Sequence, residues 1–150
     1  MNRAQHQLMT ILQKINVFHG LDLGEAERLV NICKSVMFEP DTQIFKAGDL
    51  SESMLVLITG KLKAVSRTGQ DLAEILPGSS IGEMGVFTGH RRSATIVAVE
   101  KSLALSMEKR NMDALLKEDA GMRVSILANV VDLLADRLAE ANKQIDELRK

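Results

Sequence analysis

The spacing of apolar positions changes period twice along the chain. Over residues 4–16, Leu8, Ile11, Leu12 and Ile15 recur at three- and four-residue intervals, and over 24–33 Ala26, Leu29, Val30 and Cys33 repeat that period. Both stretches predict amphipathic helices, with Val17-Phe18-His19-Gly20-Leu21 as a glycine-marked break between them. Short apolar runs follow: Val36–Phe38, Gln43–Phe45, Met54–Thr59, Lys61–Ser66, Asp71–Leu76, Thr95–Val99 and Leu103–Met107. Turn signals separate them at Pro40-Asp41, Gly48-Asp49, Gly60, Thr68-Gly69 and Pro77-Gly78. A rhythm of short strands at about ten-residue spacing predicts a β-barrel or jelly roll.

From about Asp119 to the end the helical period returns. Val124, Val131, Leu138 and Ile145 fall at heptad position a, and Leu127, Leu134, Ala141 and Leu148 at d. β-Branched residues at most a positions and mainly leucine at d favour a parallel two-stranded coil. A second stripe, Ile126, Val130 and Leu133, points elsewhere and is expected to pack on the barrel. The alternative, one wide core face within a single chain, leaves Ile145 and Leu148 with little to cover them. The e and g positions, Arg137, Asn142, Gln144 and Arg149, form no pairing code. The fold class is therefore α+β: a β-barrel or jelly roll flanked by N-terminal helices in residues 1–118, and a long C-terminal helix, a dimerising coiled coil, in 119–150.

Composition narrows what such a fold does. Of 150 residues, 45% are hydrophobic and 26% charged, the balance of a globular protein. No membrane span or signal peptide is visible, so the chain is expected to be cytoplasmic and not membrane-associated. Cys33 is the sole cysteine, so no internal disulfide forms, and it is expected to be a small buried hydrophobe within the second helix. No Cys/His cluster has metal-ligand spacing. With 19 basic against 20 acidic residues, no Trp or Tyr and four Phe, the chain offers neither a basic face nor a stacking platform. Direct nucleic-acid binding is not expected.

The run Gly82–Thr95, G-E-M-G-V-F-T-G-H-R-R-S-A-T, carries the candidate chemistry. Gly82 allows close backbone approach, Glu83 to Phe87 can form a short helical turn whose free N–H groups favour an anion, and Arg92 supplies a guanidinium for the same anion. Glu83 beside an anion is repulsive unless it serves another group, and a sugar hydroxyl suits it. Anion, arginine and hydroxyl-seeking carboxylate together describe a ribose phosphate.

The run resembles the phosphate-binding cassette of cyclic nucleotide-binding domains, roughly G-E-[LIM]-[AG]-L…R-[AST]-A-[TV]. Gly82, Glu83, Met84, Gly85, Val86, Arg92, Ser93, Ala94 and Thr95 stand at matching spacing, while Arg91 replaces the proline of many members. Phe18-His19-Gly20-Leu21, Ile44-Phe45-Lys46-Ala47-Gly48-Asp49 and Leu57-Ile58-Thr59-Gly60-Lys61 are similar to further motifs of the family, so the resemblance extends over about 15–138. It implies a double-stranded β-helix in which Glu83 holds the ribose 2′-hydroxyl and Arg92 the cyclic phosphate. The amides of Gly82, Met84 and Ser93, the Ser93 hydroxyl and Ala94 complete the ligand-binding set. In the bacterial, catabolite activator protein-like branch, polar residues on the long helix lid the base. One register places them at Ala141 and Asn142 and another at Arg137 and Leu138, so both Arg137 and Asn142 are candidates.

The resemblance further implies a sensor whose ligand is cyclic AMP, with cyclic GMP as the alternative, and which couples capture to movement of the dimerising helix. No catalytic residue, metal or other cofactor is expected: neither Glu83 nor any histidine has the partners that hydrolysis requires. The rival reading is a structural dimerisation module with a vestigial pocket or a different effector. The DNA-binding segment that follows the long helix in bacterial regulators is not part of the sequence. The expectation is a sensor signalling through a protein effector, or the sensor portion of something longer.

Overall fold

The computed structural model describes residues 2–149. It opens with α1 (Arg3–Gln13) and α2 (Leu23–Asn31), joined through a 3-10 turn over Asn16–Phe18. Each helix begins at a capping box. Asn2 accepts from the Gln5 N–H while the Gln5 side chain accepts from the Asn2 N–H, and Asp22 and Glu25 repeat the exchange. α1 ends before the predicted residue 16 because the tighter turn swings Val17 and Phe18 into the core, where both are fully buried.

Eight strands follow among the described residues: β1 (Cys33–Phe38), β2 (Gln43–Phe45), β3 (Ser53–Thr59), β4 (Leu62–Val65), β5 (Asp71–Ile75), β6 (Ser80–Ile81), β7 (Thr95–Ala98) and β8 (Ser102–Glu108). They form two antiparallel four-stranded sheets, ordered β1-β8-β3-β6 and β2-β7-β4-β5, the jelly-roll arrangement that the spacing predicts. Side chains alternate across a strand, so β3 serves two cores. Met54 and Val56 point to the helices, and Leu55 and Leu57 point between the sheets with Leu62, Ile81, Ile96 and Ala98. Burial on both faces explains the unbroken apolar run in β3.

Two local readings change. Cys33 is not in α2: it opens β1, paired with Met107 of β8, and is half-buried, its Sγ directed to the Leu29 carbonyl. Pairing with β8 extends the strand three residues ahead of the apolar run. β6 escaped the pattern because two residues, Ser80 and Ile81, cannot show a period; pairing with β3 defines them.

Three further helices position the site: α3 (Glu83–Thr88) between β6 and β7, then α4 (Lys109–Glu118) and α5 (Ala120–Leu148). Asp119 caps α5 by accepting from the Met122 N–H and pairs with Arg28 of α2. Met122, Ile126 and Val130 are buried with the N-terminal helices, and Leu133 packs against the same cluster. The stripe thus packs chiefly on the 3-10 turn, and next on α4 and α3. At the turn Asn129 Nδ2 donates to the carbonyls of Val17 and His19, at 3.1 and 2.8 Å. The heptad stripe stays uncovered: Val124 is 68% exposed, Leu138 63% and Leu148 85%.

Candidate functional site

The site is built where β6 runs into α3. Gly82 caps α3 in the left-handed region at φ 80°, and no side chain caps the first-turn N–H groups. A β-carbon on Gly82 would be strained there and would also enter the Arg92 guanidinium. Gly85, on the inner face of α3, leaves room for Ser51, whose Oγ donates to the His90 carbonyl at 2.7 Å. That bond ties the loop before β3 to the end of the cassette. Backbone bonds fix the return path: Gly48 N–H donates to the Arg92 carbonyl and Arg92 N–H to the Asp49 carbonyl, both at 2.8 Å.

These constraints bring two buried charges to one place. Arg92 is 6% exposed; its Nη2 donates to the Ser53 carbonyl at 2.5 Å, and its guanidinium lies 3.6 Å from the centre of the Phe45 ring. The stacking supplies a cation–π attraction in a desolvated setting. Burial lowers the Arg92 pKa, opposed by the charges of Glu52 and Asp49. Glu83 is 3% exposed, and its Oε1 accepts from Arg137 Nη2 of α5 at 2.8 Å. A buried carboxylate is costly without such a partner.

Glu83 and Arg92 face a cavity of about 370 Å³, within the range of small-ligand sites. Its lining is polar at Glu83, Arg92, Ser93 and Arg137, includes Gly82, Met84 and Ala94, and is apolar at Phe45, Ala64, Ile75, Ile81 and Ile96. Such a lining offers polar groups to an anion or a hydroxyl and apolar side chains to a flat ring.

Of the residues singled out from the sequence, Gly82, Glu83, Met84, Arg92, Ser93, Ala94 and Arg137 all line this cavity. Asn142 does not: it is exposed, beyond the last packed turn of α5. Phe45, Ser51 and the Ser53 carbonyl were missed as site groups. In the sequence Ile44-Phe45 stands only as part of a family motif, and nothing local announces that Phe45 supports an arginine from the loop between α3 and β7.

The fold and the site define a class, and the chain belongs to the cyclic nucleotide-binding domain family. The family's profile, described as "Cyclic nucleotide-binding domain", matches residues 35–119. The chain is 33% identical over 138 residues to the cyclic AMP receptor protein of Thermus thermophilus, covering 88% of this chain and 61% of that protein. It therefore spans under two thirds of that relative's length. Among solved structures, the catabolite activator protein of Thermus thermophilus superposes with TM-score 0.75 at 30% identity, over 89% of this chain and 62% of the other. A cyclic nucleotide-binding domain from Methylobacillus flagellatus shares the fold, with TM-score 0.78 at 24% identity over 95% and 83% of the two chains. Among the described residues no helix is long and apolar enough to cross a membrane, and no three His, Cys, Asp or Glu side chains are grouped to hold a metal ion.

Proposed function

We propose that this chain is a cyclic AMP-binding regulatory domain that couples ligand capture to α5 and works as a homodimer. The observation that carries the reading is the convergence of buried Glu83 and buried Arg92 on one cavity, with Arg137 of α5 on the same carboxylate. A cyclic phosphate takes Arg92 and the uncapped amides of α3. A ribose hydroxyl takes Glu83 and so competes with, or is shared by, Arg137. Occupancy therefore redistributes the ion pair that links α5 to the cassette. Met84, Val86 and Phe87 of α3 transmit the rest, since Val86 is buried in the core shared with α4 and α5 and Met84 and Phe87 pack against it. A coupling of about 1–3 kcal/mol is the usual scale for such linkage.

Residues 1–118 form the binding unit in this reading, and 119–150 the dimerising lever. In a parallel coil with Leu138 at a, residue 137 at g of one helix faces residue 142 at e of the other. Arg137 of one copy and Asn142 of a second copy then meet at one cavity, so both sequence candidates find a place beside the base. The protein acts by binding rather than catalysis: Arg137 holds Glu83, and Ser53 and Phe45 hold Arg92, in the manner of recognition groups. Any output domain or protein effector lies outside the binding unit, as the partial coverage of the receptor suggests.

The Glu83–Arg137 pair also favours a second reading, a structural module whose empty pocket is self-satisfied. Parallel titrations with cyclic AMP, cyclic GMP and linear AMP separate the two. Cyclic AMP at 100 times its dissociation constant should stabilise the fold by about 2.7 kcal/mol, the other two at that same concentration should stabilise it less, and the nucleotide should be recovered intact. No thermal response to any of the three rejects the sensor in favour of the module, and release of AMP from cyclic AMP rejects the non-catalytic reading.

A further inference from the structure

We propose that Arg91 is a capture residue, an exposed cation at the cavity mouth that sets how fast an anionic nucleotide arrives, whereas buried Arg92 sets how long it stays. The inference rests on the binding reading above and adds a role that the cassette pattern, with proline at this position in many members, does not contain. Arg91 lines the cavity yet is exposed, and its Nη1 donates to the Gly48 carbonyl at 3.1 Å, which holds the guanidinium against the wall.

The charge distribution separates the two arginines. Glu83 is compensated by Arg137, and the field of Arg92 is opposed by Asp49 and Glu52. Arg92 is also turned inward, to Ser53 and the Phe45 ring. Arg91 has no carboxylate within 4.0 Å among the described residues. Arg67, likewise without an ion pair, also lies beside Gly48, with Nη2 3.4 Å from where a Gly48 β-carbon would lie. Two guanidiniums without an ion pair among the described residues therefore lie beside Gly48, and Arg91 is the one that lines the cavity. A cleft with walls of low dielectric focuses such a field, and charges at a rim act on association and its salt dependence, whereas buried ones act on dissociation. Because capture reads only the phosphate, cyclic AMP and cyclic GMP should be affected alike.

The test is stopped-flow association of a fluorescent cyclic AMP derivative with the full chain, with unlabelled cyclic AMP and cyclic GMP as competitors. Arg91→Gln should slow association about threefold at low salt, the weight of one unit charge at roughly 6 Å in water. The gap should close at about 0.3 M salt, and dissociation should not change. Arg91→Lys should restore the rate, which a role confined to loop geometry would not produce. Arg67→Gln, away from the cassette backbone, should slow association in the same direction and guards against misfolding of the first variant. Normal association in both glutamine variants overturns the capture role while leaving nucleotide binding intact. Faster dissociation instead of slower association overturns it in favour of a holding role. A wild-type chain that binds neither nucleotide removes the binding reading and this inference with it.

Discussion

Arg92 and Glu83 are both nearly sequestered from water, and each is held by groups distant in sequence. Replacing Arg92 with Ala strands a desolvated phosphate and should cost about 2–5 kcal/mol of cyclic AMP binding, measured by calorimetry. Unchanged affinity would contradict its assignment. Gly85 makes a different demand: a β-carbon there would overlap Ser51 and press on the His90 carbonyl. Gly85→Ala should destabilise the fold by about 1–3 kcal/mol in denaturant titration, and adding Ser51→Gly should recover part of that loss. Additive losses in the double variant would exclude the clash as the cause. At this scale the sequence was legible where chemistry is local, because Gly82, Glu83, Arg92, Ser93 and Ala94 lie in one short run. It was not legible where support crosses the chain. Phe45 beneath Arg92 and Ser51 beneath Gly85 depend on strand pairing that no single segment encodes.

The elements are joined by polar anchors as much as by apolar stripes. α5 starts at Asp119, whose carboxyl lies below its ordinary range because it accepts the Met122 N–H, with Arg28 and the Gly121 N–H adding to the effect. A depressed folded pKa contributes stability that is present above the unfolded value, about 3.9, and is lost as pH falls through the folded one. Glu108, held low by Lys34 where β8 enters α4, acts in the same window. Thermal unfolding followed from pH 6 to pH 3 should therefore show stability falling below about pH 4. Asp119→Asn, which keeps the cap and removes the charge, should flatten that loss; identical slopes would contradict the linkage. The helical and strand periods were legible in most of the elements. β6 is too short to show a period, and Cys33 joined β1 because its backbone pairs with Met107 of β8, an outcome that apolar spacing alone cannot select.

Seen whole, the molecule is a packed jelly roll with a helix that outruns it. Twenty-nine residues at about 1.5 Å each make α5 a rod of about 43 Å, and its packing ends near Leu133. Beyond that point Leu138, Ile145 and Leu148 are exposed, as the heptad pattern leaves them. In a lone chain Leu138→Asp is a surface change expected to stay within about 0.5 kcal/mol. In a dimer it places a charge in the seam. Sedimentation equilibrium should show a dimer for the wild type and a monomer for the variant, with a concentration-dependent Tm only in the first. A monomeric wild type would contradict the coil. The central claim is more specific: one cavity grips a cyclised ribose phosphate between Arg92 and Glu83. Crystals grown with saturating cyclic AMP test it most directly. The cyclic phosphate should lie on Arg92 and the ribose 2′-hydroxyl on Glu83, with Arg137 shared or displaced. An empty cavity, with the Glu83–Arg137 pair unchanged and nucleotide present at saturation, would contradict it.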